Sequence, residues 1–176
     1  NSDSTARALT VTGAAVFAGS VGATNSLASV SVTGNTTING GSITTSNSQS
    51  YSGAVTLGTT ATLAGSTVTF GNTVNGGGVS RLTVSGNGVF GGAASGLTRL
   101  NVSGTTEING GSITTSSIQS YSGAVTLRAT ATLAGSTVTF GNTVNGGGVS
   151  RLTVSGNAVF GGAASGLTRL NVSGTT

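Results

Sequence analysis

Residues 39–106, NGGSITTSNSQSYSGAVTLGTTATLAGSTVTFGNTVNGGGVSRLTVSGNGVFGGAASGLTRLNVSGTT, decide how this chain is read. Residues 109–176 repeat them with five changes: Asn47/Ser117, Ser48/Ile118, Gly58/Arg128, Thr59/Ala129 and Gly88/Ala158. Residues 9–38 are a third, more diverged partial copy, in which LTVTGAAVF (9–17) stands for LTVSGNGVF (82–90). The chain therefore reads as one unit over 1–176, with a partial repeat at 9–38 and repeats at 39–108 and 109–176. A fixed period of this kind is the signature of a stacked repeat architecture.

A shorter frame recurs inside the repeat. An apolar pair spaced i, i+2 is followed by an apolar residue six positions on and another five beyond, as in Val30-x-Val32, Ile38, Ile43 and Val55-x-Leu57, Leu63, Val68. Alternation within a segment means strand. The anchors of the frame are Val11, Val32, Leu57, Val84, Val102, Leu127, Val154 and Val172, and they recur at unequal intervals. The spacing predicts an all-β, right-handed parallel β-helix (β-solenoid) of about seven coils of 18–27 residues, with three coils in each 70-residue repeat. Inward residues should form ladders, with Phe17, Phe90 and Phe160 sharing a frame position with Ile38, Leu63, Ile108 and Leu133. The row four after the anchor is small throughout (Ala15, Thr36, Ala61, Gly88, Thr106, Ala131, Ala158), as a narrow interior requires. Residues 1–8 read as a lead-in. NTVNGGGVS (72–80 and 142–150) reads as the longest glycine corner and a protruding loop, and SNSQSYSG (46–53) as the next, with Tyr51 and Tyr121 packing at a corner. Both ends fall inside the repeat without a cap, which is expected of a tile from a longer array.

The composition fits a thin core. Only 4% of residues are aromatic, and Trp, Met, Cys, His and Pro are absent. Without cysteine there are no disulfides and no thiol chemistry, which suits either a reducing compartment or a surface protein that does without bridges. The net charge is +4, from six arginines against Asp3 and Glu107. That is too sparse for nucleic-acid binding. No run of 18 apolar residues exists, so no helical membrane span is expected.

The same composition excludes most chemistry. Two acids and no His or Cys leave no metal site, and no cofactor is expected. Serine and threonine nucleophiles lack a His or Lys to activate them, and no carboxylate pair exists for acid–base work, so the chain reads as no enzyme, with no catalytic residues. Gly86-x-Gly88-x-x-Gly91 matches a dinucleotide fingerprint in letters only. It precedes no helical pattern, and Ala158 replaces the middle glycine in the second copy. Two surface features remain. The residues beside each anchor (Thr10/Thr12, Ser31/Thr33, Thr83/Ser85 and their equivalents) should face out as a Thr/Ser ladder. This is ordinary β-surface or, on the alternative reading, an ice-binding face. Arg81, Arg99, Arg151 and Arg169 each stand three residues before an anchor. They should point out together on one face, either as packed stems or as a candidate anion-binding stripe for anionic glycans or a host or neighbouring cell surface.

The strings TINGGSITTSNSQSYSGAVTLGTTATLAGSTVTFGNTVNGGG (37–78), LTVSGNGVFGG (82–92) and LNVSGTT (100–106) together resemble the repeats of giant filamentous-haemagglutinin-like bacterial surface exoproteins. The resemblance covers almost the whole chain. It implies a right-handed β-helix shaft, secretion to the bacterial cell surface, and a structural role in an adhesin or extracellular filament. The uncapped ends, not the resemblance, suggest the immediate partners: neighbouring repeats of the same or an identical chain, by continuation or end-to-end stacking. The alternative to a shaft is a binding module that uses one solenoid face.

Overall fold

A computed structural model describes residues 5–176; Asp3 and the first half of the expected lead-in lie outside the described residues. Its strands, in chain order, are β1 (Leu9–Val11), β2 (Ala15–Phe17), β3 (Val30–Val32), β4 (Thr36–Ile38), β5 (Ser42–Thr44), β6 (Gln49–Tyr51), β7 (Val55–Leu57), β8 (Ala61–Phe70), β9 (Val74–Phe90), β10 (Ala94–Val102), β11 (Thr106–Ile108), β12 (Ser112–Thr115), β13 (Ile118–Tyr121), β14 (Val125–Leu127), β15 (Ala131–Phe140), β16 (Val144–Phe160) and β17 (Ala164–Val172). Every pairing between them is parallel, and no helix occurs among the described residues. The fold is a parallel β-solenoid of about nine turns.

Each turn has three sides. On the first side, Leu9, Val30, Gln49, Val68, Gly88, Thr106, Val125, Val144 and Ala164 stand directly above one another, each one turn beyond the last. On the second, Ala15, Thr36, Val55, Val74, Ala94, Ile113, Leu133, Val154 and Val172 do the same. On the third, the column is Val21, Ile43, Leu63, Val84, Val102, Tyr121, Phe140 and Phe160. Successive rungs of a parallel ladder lie about 4.8 Å apart, so the rod is about 40 Å long.

This register corrects the expected coil. A turn takes about 20 residues throughout, a usual length for a solenoid repeat. There are about nine turns rather than seven. Gln49 lies on the first side and its repeat equivalent Gln119 on the third, so eleven sides, or three and two-thirds turns, separate them. The repeat is not three coils. The anchors do not form one column either: Val32 is on the first side, Leu57 on the second and Val84 on the third. Only the anchor steps Val11 to Val32, Val84 to Val102 and Val154 to Val172 are single turns; the longer steps between them span four sides. Phe17 stacks with Ile38 and Phe90 with Ile108 as expected, but the two pairs stand on different sides.

The interior is closed and built by alternation. Val32, Ile38, Ile43, Leu63, Val84 and Phe90 are fully buried, while the residues between them in each strand face out. Full burial of such a side chain contributes roughly 1.5–3 kcal/mol. Tyr51, Phe70 and Phe90 form a continuous stack on the first side with ring centroids 6.0 and 5.2 Å apart, and Tyr121, Phe140 and Phe160 repeat it on the third at 5.7 and 5.0 Å.

Tyr51 and Tyr121 are therefore core residues on strands, not corner residues. Each hydroxyl donates to a buried glutamine: Tyr51 to Gln49 Oε1 and Tyr121 to Gln119 Oε1, both at 2.8 Å. Gln49 Nε2 in turn donates to the carbonyls of Ile43 (2.9 Å) and Ala64 (2.8 Å), tying two turns together, and Gln119 does the same to Ile113 and Ala134.

Corners stack backbone on backbone. A Cβ on Gly34 would overlap the backbone of Gly13, one on Gly53 that of Gly34, and one on Gly104 that of Gly86. Glycine is required there because neighbouring turns leave no room for a side chain. VNGGGVS (74–80) is continuous with β9 and still forms the expected glycine corner: it turns the chain from the second side to the third with two residues more than the next turn uses between Ser95 and Arg99. Gly77 and Gly78 there take φ of 63° and 85°, and Asn75 Oδ1 accepts the Gly77 N–H at 2.9 Å.

Candidate functional site

The strings Arg-Leu-Thr-Val and Arg-Leu-Asn-Val place their arginines by alternation. Leu82, Val84, Leu100 and Val102 are buried, so Arg81 and Arg99 turn to the outside. The two are direct cross-strand partners on adjacent turns, and Arg151 and Arg169 form the second such pair. The expected pairing holds, but the expected single face does not. Arg81 and Arg99 open the third side, whereas Arg151 and Arg169 open the second, because eleven sides is not a whole number of turns.

Neither pair faces an acid among the described residues. Glu107 is committed elsewhere: its Oε2 lies 3.4 Å from Arg128 Nη2 on the next turn, and its Oε1 accepts Asn109 Nδ2 at 3.0 Å. The Asn109 hydrogen bond lowers the Glu107 carboxyl below its usual value; burial opposes this and Arg128 adds to the lowering. Within the second arginine pair, Arg169 Nε donates to Asn171 Oδ1 at 3.0 Å, two residues along its own strand.

Beside the first pair the third side is concave. A shallow groove of about 420 Å³ is lined by Arg99, Thr83, Asn101, Ser103, Ser120 and Ser122, with Ile118 and Val102. Thr83, Asn101 and Ser120 are register partners on three consecutive turns and form its floor column. Arg99 and Ile118 begin their rungs, and Ser103 and Ser122 follow the ends of theirs, so the groove crosses the full width of the side. Its lining offers one guanidinium, one amide and four hydroxyls. Alternation alone turns Thr83, Asn101 and Ser103 outward, but their meeting with Ser120 and Ser122 requires the true turn length. Ile118 is one of the five positions at which the two repeats differ, being Ser48 in the first.

The outward hydroxyl columns are short. On the first side Thr10, Ser31, Ser50 and Thr69 stack before Val89 and Glu107 interrupt, and on the third Ser42, Thr62 and Thr83 stack before Asn101. The expected Thr/Ser ladder is thus divided among three sides, and it runs for four hydroxyls on the first and three on the third before it is broken.

No cluster of three or more His, Cys, Asp or Glu side chains occurs among the described residues. The buried polar groups are largely satisfied by corner carbonyls: Ser80 Oγ donates to Leu57 and Ser150 Oγ to Leu127. The buried hydroxyls of Thr36 and Thr106, at equivalent repeat positions, lack a partner and lie in the closed interior, away from any surface a substrate could reach. No protein-family model, curated protein or solved structure matches the chain.

Proposed function

We propose that this chain is a shaft segment of a secreted bacterial surface adhesin or extracellular filament, with a structural and not a catalytic role. One observation carries the reading. The ladder runs through the junction between repeats without a break: Thr106 pairs with Gly88 behind it and Val125 ahead of it. Each added repeat therefore lengthens the same rod by eleven sides, about 18 Å at the usual rung spacing. The resemblance to filamentous-haemagglutinin-like repeats supports the extracellular setting, and the unbroken ladder favours adjoining repeats as the immediate partners. The test uses arrays of two, four and six repeats. Small-angle scattering should give a rod of constant cross-section that gains about 18 Å per repeat, and antibodies against the repeat should label intact cells of the producing bacterium. A length that does not grow with repeat number, or labelling only after cell lysis, refutes it.

A second reading, favoured by the groove at Arg99, is that the arginine-bearing sides bind anionic groups on glycans or on a neighbouring cell. Guanidinium pairs suit oxyanions because of their bidentate geometry. A native chain retained on an immobilised sulfated polysaccharide, and a variant with Arg81, Arg99, Arg151 and Arg169 all changed to Gln that is not retained, is the expected result. Equal elution of the two at low salt removes this reading.

A further inference from the structure

We infer that the anion-binding arginines serve a flexible polyanionic chain that winds around the rod, and not a flat anionic surface. The inference rests on the second reading above and names its partner class. It follows from the screw that relates the repeats.

Eleven sides carry Arg81 and Arg99 to Arg151 and Arg169, and three sides make a turn. The second pair is therefore displaced along the rod by about 18 Å and rotated by a third of a turn. A plane laid against the third side meets the first pair and leaves the second pointing away from it. Along a longer array the same side returns only after three repeats, or eleven turns, about 53 Å. A flat surface thus engages one pair in three. A linear polymer that bends can follow the successive pairs, crossing from one side to the next as it advances.

The surface beside the first pair suits such a chain. The groove crosses the side instead of running along the rod, and it leads from Arg99 past Asn101 and Ser120 to Ser103 and Ser122. Its donors are hydroxyls and an amide, which match the hydroxyls and ring oxygens of a sugar backbone. Ile118 is the only large apolar side chain there that is not fully buried, so the groove offers little to a lipid tail. The class indicated is a linear sulfated or carboxylated polysaccharide.

The experiment compares three probes on the 176-residue chain, which carries both pairs. They are a long dextran sulfate able to span them, a sulfated disaccharide that cannot, and vesicles of phosphatidylcholine with phosphatidylglycerol. Two variants each remove one pair, Arg81→Gln/Arg99→Gln and Arg151→Gln/Arg169→Gln, and a third removes both. These side chains face solvent, so the variants should keep the native circular dichroism and melting, and each single-pair variant retains the other pair as its control. Losing either pair should weaken binding of the long polymer by about tenfold or more, because the second contact is made at high effective concentration. The same change should alter disaccharide and vesicle affinity by no more than the halving of site number. If the single-pair variants weaken vesicle binding as strongly as polymer binding, or leave polymer binding unchanged, the winding geometry is wrong while anion binding stands. If the native chain and the variant lacking both pairs bind the long polymer equally, the anion-binding reading itself fails.

Discussion

The buried Gln49–Tyr51 pair offers the sharpest test of how the turns are held in phase. Gln49→Leu removes the donor shared by the Ile43 and Ala64 carbonyls and strands the Tyr51 hydroxyl in a buried column. The Ala64 carbonyl keeps the Thr45 N–H at 2.8 Å and Ile43 stays in its backbone ladder, so the larger part of the cost falls on Tyr51, with one lost bond at each carbonyl added. At about 1–3 kcal/mol for each buried group left unsatisfied, the change should cost about 2–4 kcal/mol. Tyr51→Phe leaves only Gln49 Oε1 without its donor and should cost about 1–2 kcal/mol. The double variant replaces both ends of that bond with apolar groups. It should cost less than the two single changes together, by about 1–2 kcal/mol. A solenoid opens locally as well as globally, so amide hydrogen exchange is the right readout. The second repeat supplies an internal reference, since Gln119 and Tyr121 make the same bonds with the same geometry. In Gln49→Leu, exchange at residues 42–51 should accelerate by about a hundredfold relative to 112–121, the factor that corresponds to roughly 3 kcal/mol. Equal exchange in the two segments would refute the network as a phase-setting element. A double variant that costs the full sum would show that the Tyr–Gln bond carries no coupling.

Burial pushes the Tyr51 and Tyr121 phenols well above their ordinary value, so the folded state favours their neutral form. Their contribution is fully present below about pH 10, where the unfolded phenols titrate, and is lost as pH rises beyond it. The melting temperature should accordingly fall above about pH 10, and the Tyr51→Phe/Tyr121→Phe variant, though less stable at neutral pH, should show a flatter alkaline limb; an unchanged slope contradicts the buried placement. Gly110→Ala would drive a Cβ into the backbone of Gly92 one turn away and should destabilise by about 2 kcal/mol or more, whereas Gly13→Ala, with open space and no positive φ, should be neutral or stabilising by up to about 1 kcal/mol. Equal melting of the two would argue against the corner stacking. Phe90→Asp puts an unpaired carboxylate against Phe70, 5.2 Å away in the native stack, and should cost several kcal/mol, with exchange protection lost first in the turns on either side; native melting would place Phe90 outside.

The alternation in Val30-x-Val32 or Leu82-x-Val84 is a property of one strand, and it correctly assigns Phe90 to the interior and Arg81 to the surface. The turn length is a property of three strands, and the apolar frame cannot report it. Every side carries the same apolar pair, so a step of four sides, as from Val32 to Leu57 or from Leu57 to Val84, matches the frame as well as a step of three. The glycines do distinguish them. The Thr-Gly and Ser-Gly corners at Gly13, Gly34 and Gly53, and again at Gly86, Gly104 and Gly123, recur once per turn, and these glycines are stacked on one another. At Gly34, Gly53, Gly104 and Gly123 a side chain is excluded because the preceding turn's backbone lies directly against it, so glycine spacing measures the turn where apolar spacing measures the side. The misplaced arginines follow from this one difference. Fractions of a turn accumulate to a third over each repeat, and a stripe expected on one face becomes a screw. Gln49 and Tyr51 were hidden for another reason. A Gln-Ser-Tyr flanked by serines reads as loop because an interior amide is costly unless its partners are in place, and those partners are the carbonyls of Ile43, six residues back, and Ala64, fifteen residues on. Local pattern assigns the strand and its inner face. Which turn lies above it, and hence which polar groups are satisfied and which surfaces meet, is settled only by the next turn of the chain.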